Sequence, residues 1–421
     1  MLFNKNPQII KYLRILLVIV FTTIVGVVSE SILAFTSLNS KQVVVSLSDY
    51  GEVNQKSIEA VLKRAIDDID GKTLKLPKGT YEIGDLLVEN HHNFTIKGNE
   101  TVLKCGKFLI KDCQQFELSK VSVIGNPEKF AHFDIEGDCE NFKIHDCTLT
   151  STPDSNGVNT IYGMRIMCDL QNPLRSRRNS PRNFEVYKNN ISNTKYDGIL
   201  VYALSSNFKV HHNLITNAGC IGIESEGRYG GMHDTKPAQC SNAKIYKNKV
   251  KDCGDWGILI MWTDGFEIYD NNCLNNYGCF LSIGSRDGVI KNNVFEGNYK
   301  GFEISQEFFK LSNGINKNID IHNNHIKAMP RDNGRGVIDL RHCEMISFED
   351  NEIEPIKRKD GYMISISSVK NVTFRNNHFY GSETEDFFFK NISYEPDPET
   401  SEPVPFMTNK GVEMYNNIID N

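Results

Sequence analysis

The sequence predicts an all-β solenoid, a parallel β-helix whose coils stack along one axis behind a short N-terminal capping helix. Three observations carry that reading. A unit of alternating apolar residues, an asparagine, a polar turn, a glycine and a second apolar alternation recurs. It reads FEVYKNNISNTKYDGILVYA from Phe184, FKVHHNLITNAGCIGIESEG from Phe208 and AKIYKNKVKDCGDWGILIMW from Ala243. Aligning the copies on the asparagine after each first strand gives Asn190, Asn213, Asn248, Asn272, Asn293, Asn324, Asn351 and Asn377, at spacings of 21 to 35 residues. Such spacings fall within the range of solenoid repeats. The units are filled with β-branched, period-two segments such as GILVYA, GILIMW and GFEIS, while helix-forming runs are nearly absent after residue 70. One unit cannot bury its inner face alone; stacked units share a continuous core.

The elements follow in chain order. Lys5, Lys11 and Arg14 precede an uncharged run from Ile15 to Val28, which Glu30 ends. That run is short for a membrane span and right for an export signal, with Ala34 as a cleavage position. Residues 1–35 are therefore expected to be a signal peptide, or a membrane anchor if they stay uncleaved. Residues 36–421 read as one domain. Its cap, at about 43–70, holds an amphipathic helix with Ile58, Val61, Leu62, Ala65, Ile66 and Ile69 on one face. In the repeats, asparagine tolerates left-handed backbone and bonds to nearby peptide groups, so one per coil is expected to form a structural ladder. Two segments interrupt the coils. One is the insertion GRYGGMHDTKPAQC at 227–240. The other is a proline-rich acidic loop at 381–405.

Composition narrows the partners. The balance of 39% hydrophobic and 24% charged residues is that of a globular chain, and a net charge of −6 offers no broad basic field for nucleic acid. A membrane partner is expected only if the N-terminal segment is retained. Eleven cysteines is an odd number. A Cys220–Cys240 bridge would tie down the insertion, but buried free thiols are the plainer expectation. No cysteine–histidine cluster has zinc spacing, so no metal site and no cofactor is expected. The acidic loop could take calcium, but no motif supports it.

The stretch SLSDYGEVNQKSIEAVLKRAIDDIDGKTLKLPKGTYEIGDLLVENHHNFTIKG resembles the N-terminal entry of the pectin-lyase-like right-handed β-helix superfamily, in which a short helix caps the first coil. The resemblance spans most of residues 43–421. It implies a right-handed coil, and it leaves the chemistry open among lyases, hydrolases, epimerases and phage tailspikes. The motifs of particular relatives fail. NTKYDGI puts Asp197 near the first polygalacturonase motif, but Ala218 and Gly219 stand where an aspartate pair would be, and no Gly-His-Gly follows. The Asp-Pro-His signature of mannuronan epimerases is also absent.

Strand register then selects candidate site residues. Inward pairs are read as Ile199/Val201, Ile221/Ile223, Ile258/Ile260 and Phe302/Ile304, which leaves their neighbours facing out. Charge and an aromatic gather outside from Arg165 to Glu226, beside the insertion. Glu224 and Glu226, two apart on one strand face, have the spacing of an inverting glycosidase pair. Alternatively, Arg165, Arg228 and Asp169 would hold a uronate while Tyr202 or His233 removes its C5 proton, giving elimination or epimerisation. A solvated polar face without chemistry is the competing reading. Trp262, with Asp264, is a sugar-stacking candidate whose register points inward. The expected protein is thus secreted, periplasmic or displayed at the cell surface. It cleaves or modifies an extended polysaccharide, which the long solenoid face suits, or it is a non-catalytic glycan-binding or adhesion solenoid.

Overall fold

The computed structural model describes residues 42–125, 131–152, 161–169, 179–227, 239–305, 315–329, 335–356, 362–381, 389–391 and 409–420. The expected signal segment, most of the insertion and most of the acidic loop lie outside the described residues.

Each coil contributes one strand to each of three parallel sheets. Arg182–Tyr187, Asn190–Thr194 and Ile199–Tyr202 form one coil, and Ser206–His211, Leu214–Ala218 and Ile223–Glu226 form the next. They pair in register as Phe184 on Phe208, Ile191 on Ile215 and Ile199 on Ile223. Because neighbouring coils place like residues over like, side chains stack inside in columns. Phe94, Phe116, Phe142, Phe184 and Phe208 form one such column in the first sheet, with successive ring centroids 5.3, 4.7, 4.7 and 5.3 Å apart. All the described cysteines are free, so no bridge joins Cys220 to Cys240. Cys240 lies in the core and Cys220 does not, which separates them.

The helix Ile58–Asp67 buries the face expected of it, and Ile58, Val61, Leu62, Ala65, Ile66 and Ile69 join the same core as Leu74, Leu76 and Val88 of the first coil. Asn54 folds back to accept the Lys56 and Ser57 N–H groups through its side chain, which starts the helix. Gly71, with φ +71°, turns the chain out of it. The cap thereby covers the N-terminal edge of the solenoid core.

The asparagine ladder exists, shifted by one residue in two coils. Its buried members are Asn189, Asn213, Asn248, Asn271, Asn293, Asn324, Asn351 and Asn377, and Asn417 continues it. Each backbone N–H donates to the next side-chain oxygen at 2.9–3.0 Å, as from Asn189 to Asn213 and from Asn271 to Asn293. Each side-chain amide also donates to a backbone carbonyl, such as Ile144 for Asn189. Asn190 and Asn272 are strand residues beside the ladder. The left-handed residue is the one before each rung: Lys188, His212, Lys247, Asp270, Asn292, Asn323, Asp350 and Asn376 have φ between 53° and 56°. The rung asparagine therefore serves by hydrogen bonding and not by adopting that conformation.

Replacing Ile260, fully buried between Ser225 and Ser282 of the adjacent coils, by alanine is expected to cost about 2–5 kcal/mol in chemical denaturation. Leu200, on the outer face of the same sheet, should cost less, because its alanine variant opens no hole in the stacked column. The reverse order would contradict the register.

Candidate functional site

The outer face of the third sheet carries most of the candidate residues. Its central column runs Asp134, Arg165, Leu200, Glu224, Leu259 and Leu281, each paired with the next. The column two residues on runs Tyr202, Glu226, Met261 and Ile283. Tyr202 therefore pairs with Glu226, not with Glu224, which lies opposite Leu200. Ile221 and Ser282 exchange the faces expected of them: Ser282 pairs with Ile260 and Ile304 in the core, while Ile221 joins an outer cluster with Trp256, Leu259, Leu281 and Ile283.

The corner glycines turn Ile221 outward. A Cβ on Gly198 would lie 2.5 Å from Ile215, and one on Gly222 would lie 2.2 Å from Val250. These positions point inward and admit no side chain, so two inward positions follow one another and strict alternation breaks. The residue before each glycine faces out, which puts Asp197, Ile221 and Trp256 along the rim.

Asp197 accepts the Ile221 N–H at 3.0 Å and lies beside Glu224. Burial raises its pKa to about 6. Burial, together with the charge of Asp197, also raises Glu226 to about 7. Glu224 is only 6% exposed. Burial, followed by the Asp197 and Glu226 charges, pushes it well above the usual carboxylate range. Tyr162, on the same rim, is pushed up to about 12 by burial and the nearby carboxylates. Three carboxyl groups from two coils thus differ in protonation within one small area.

Other expected members are placed differently. Arg165 donates to Asp134 from Nε at 2.9 Å and to Glu136 at 2.8 Å, so its fork is built into an ion network. Asp169 faces Lys111 at 3.3 Å in that same network's neighbourhood. Arg228 and His233 lie outside the described residues. Trp262 is buried, at 3% exposure. Trp256 is equally buried and Tyr277 is the exposed ring; the two share Lys300 at 4.8 and 5.1 Å from their ring centroids, with Asp255 holding that ammonium at 2.6 Å. Asp197 and Trp256 were not singled out by alternation. Aligning the units on Gly198, Gly222 and Gly257 is the signal that finds them. Further along the sheet, Glu303, Asp339 and Arg341 form a buried ion cluster, with Arg341 3.0 Å from each acid. Among the described residues no group of three His, Cys, Asp or Glu side chains could hold a metal ion.

This architecture is that of the right-handed parallel β-helix, the fold of the pectin-lyase-like superfamily. The family described as right handed beta helix region matches residues 225–330. Three solved structures share the fold. The mannuronan C-5 epimerase AlgE4 A-module of Azotobacter vinelandii superposes with a TM-score of 0.62 at 13% identity, covering 83% of this chain and 98% of that one. The exopolygalacturonase of Thermotoga maritima gives 0.51 at 15% identity, covering 90% and 91%. PfbA, a surface adhesin of Streptococcus pneumoniae, gives 0.54 at 12% identity, covering 83% and 91%. No curated protein sequence matches the chain significantly. No helix among the described residues is long and apolar enough to cross a membrane.

Proposed function

We propose that the protein hydrolyses a glycosidic bond within an extended, uncharged glycan, outside the cytoplasm, with Glu224 as general acid and Glu226 as general base. One observation carries the reading: Glu224 and Glu226 stand two positions apart on one outer strand face, with Glu224 the more deeply buried and pushed well above the usual carboxylate range by that burial, and Glu226 raised to about 7. Two residues of strand separate backbone positions by about 7 Å, the spacing at which a water fits between acid and base in an inverting mechanism. Asp197, ionising below Glu224, accepts that carboxyl's hydrogen bond and orients it.

The same geometry weighs against elimination. A uronate would approach three carboxyl groups, and the Arg165 guanidinium that could neutralise it is engaged by Asp134 and Glu136. Solved structures of like fold include polysaccharide-modifying enzymes, which agrees with a glycan substrate. The uncharged N-terminal run agrees with export.

The test is a panel of neutral and acidic polysaccharides, scored for new reducing ends and for the ultraviolet absorbance of an unsaturated uronate. New reducing ends on a neutral glycan, with the anomeric configuration inverted by NMR, are the expected result. Absorbance would assign elimination instead. Binding without either product would assign an adhesion role.

A further inference from the structure

A hollow lies away from the carboxylate residues, where the cap segment meets the corner between the first and second sheets. Its volume is about 610 Å³. Ser46 and Ser48 of the cap form one wall, and Lys75, Lys97 and Lys120, from three consecutive coils, form the other. None of its lining residues is acidic. Lys75 and Lys97 are direct register partners, so their side chains leave the sheet about 4.8 Å apart. Like charges placed directly opposite one another destabilise a sheet.

Elsewhere on the same sheet Lys209 and Lys244 are also register partners, but each is neutralised by a glutamate, Glu185 at 2.6 Å and Glu267 at 2.7 Å. Here the nearby carboxylates are committed to other groups. Asp49 accepts the Ser46 N–H at 2.8 Å, Glu100 pairs with Lys78 at 2.5 Å, and Glu117 faces His145 at 3.2 Å. All three hollow-lining lysines are exposed, and among the described residues none enters an ion pair. The strand is irregular here: its register against the next coil shifts between Lys97 and Thr101, and the exposed Asn99 donates its backbone N–H to Thr101 Oγ1 at 3.0 Å. The irregularity falls where the three lysines line the hollow.

We propose that this hollow binds a compact anion bearing neighbouring phosphate- or sulfate-type oxyanions. Lysine ammonium groups act on such oxyanions as point charges, and three of them converging on a hollow without a fixed counter-charge gain most from an anion with several oxygens. The Ser46 and Ser48 hydroxyls supply uncharged donors on the facing wall. The anion is either free or a substituent of a glycan, and both present the same chemistry to the lysines.

The experiment uses the purified full chain, with pyrophosphate as the probe, followed by thermal melting and calorimetric titration at low and moderate salt. Pyrophosphate is expected to raise the melting temperature saturably, and the affinity should fall steeply with salt. Lys97→Ala should weaken binding at least tenfold, and at low salt it should melt at or above the wild-type temperature, because one of two opposed like charges is gone. Lys143→Ala removes an exposed lysine of the same sheet outside the hollow and should leave binding unchanged. A phosphate-substituted oligosaccharide that binds at least tenfold more tightly than pyrophosphate would identify the source as a glycan; equal or weaker binding would identify a free anion. The proposal is overturned if pyrophosphate gives no shift, if the shift is equal in Lys97→Ala, or if anionic phospholipid vesicles bind the hollow and pyrophosphate does not compete. None of these readouts depends on glycan hydrolysis.

Discussion

Glu224→Gln is expected to lower kcat by about 10³-fold or more on a glycan that the wild type cleaves, with substrate binding retained. A positioned general acid contributes roughly 10²–10⁴-fold. The amide reproduces the shape and charge of the protonated carboxyl that the site holds at neutral pH, but it has no proton to give. The same substitution should not destabilise the protein near pH 7. In the unfolded chain a glutamate gives up its proton above about pH 4.3, whereas the folded protein keeps it on Glu224, so ionisation favours unfolding as pH rises through that window. Glutamine removes the penalty. Glu226→Gln should be as damaging to turnover, and the wild-type rate should climb as pH rises through about 7, where Glu226 ionises. If Glu224→Gln retained more than a tenth of wild-type kcat, the acid would have to be another residue. A large drop in melting temperature would show that the carboxyl is charged in the native state.

The second large effect lies in the ladder. Asn189→Ala is expected to cost about 2–5 kcal/mol, while Asn190→Ala, one residue away, should cost less than about 0.5 kcal/mol. The Asn189 side chain accepts the Cys147 N–H at 3.0 Å and donates to the Ile144 and Asn213 oxygens, each at 3.0 Å, all within the buried interior. Alanine leaves a buried donor and a buried carbonyl with no partner, each worth about 1–3 kcal/mol. Asn190 is exposed and borders the same turn. Equal costs for the two, measured by chemical denaturation, would mean that the ladder bonds do not hold in solution.

That one-residue contrast also shows what the sequence conveys. The solenoid was legible because its signals repeat: apolar alternation and corner asparagines recur many times, and each copy corroborates the others. The capping helix was legible because six apolar residues at helical spacing have no other way to share a face. The rung was ambiguous where two asparagines are adjacent, at 189–190 and 271–272, because either side chain could be placed in the stack. Only the left-handed backbone at Lys188 and Asp270 decides which of them enters. At the site, Glu224 and Glu226 were visible from alternation alone. Asp197, Ile221 and Trp256 were not, because they precede glycines at which alternation fails. A period-two rule has no place for a corner whose inner position is too crowded for a Cβ.

The ladder also bears on how such a chain changes over generations. Each rung is bonded to the next by the same pair of hydrogen bonds, whatever the length of the loops between. An in-frame tandem duplication spanning one coil, such as residues 206–240, would therefore give its copy the same seat as its parent. Gene length and the length of the solenoid's outer face would grow together, by about 4.8 Å per event. Lengthening of a corner loop would instead alter what flanks that face and leave its length alone. Reach along a polymer and grip on it are thus separately heritable in this molecule.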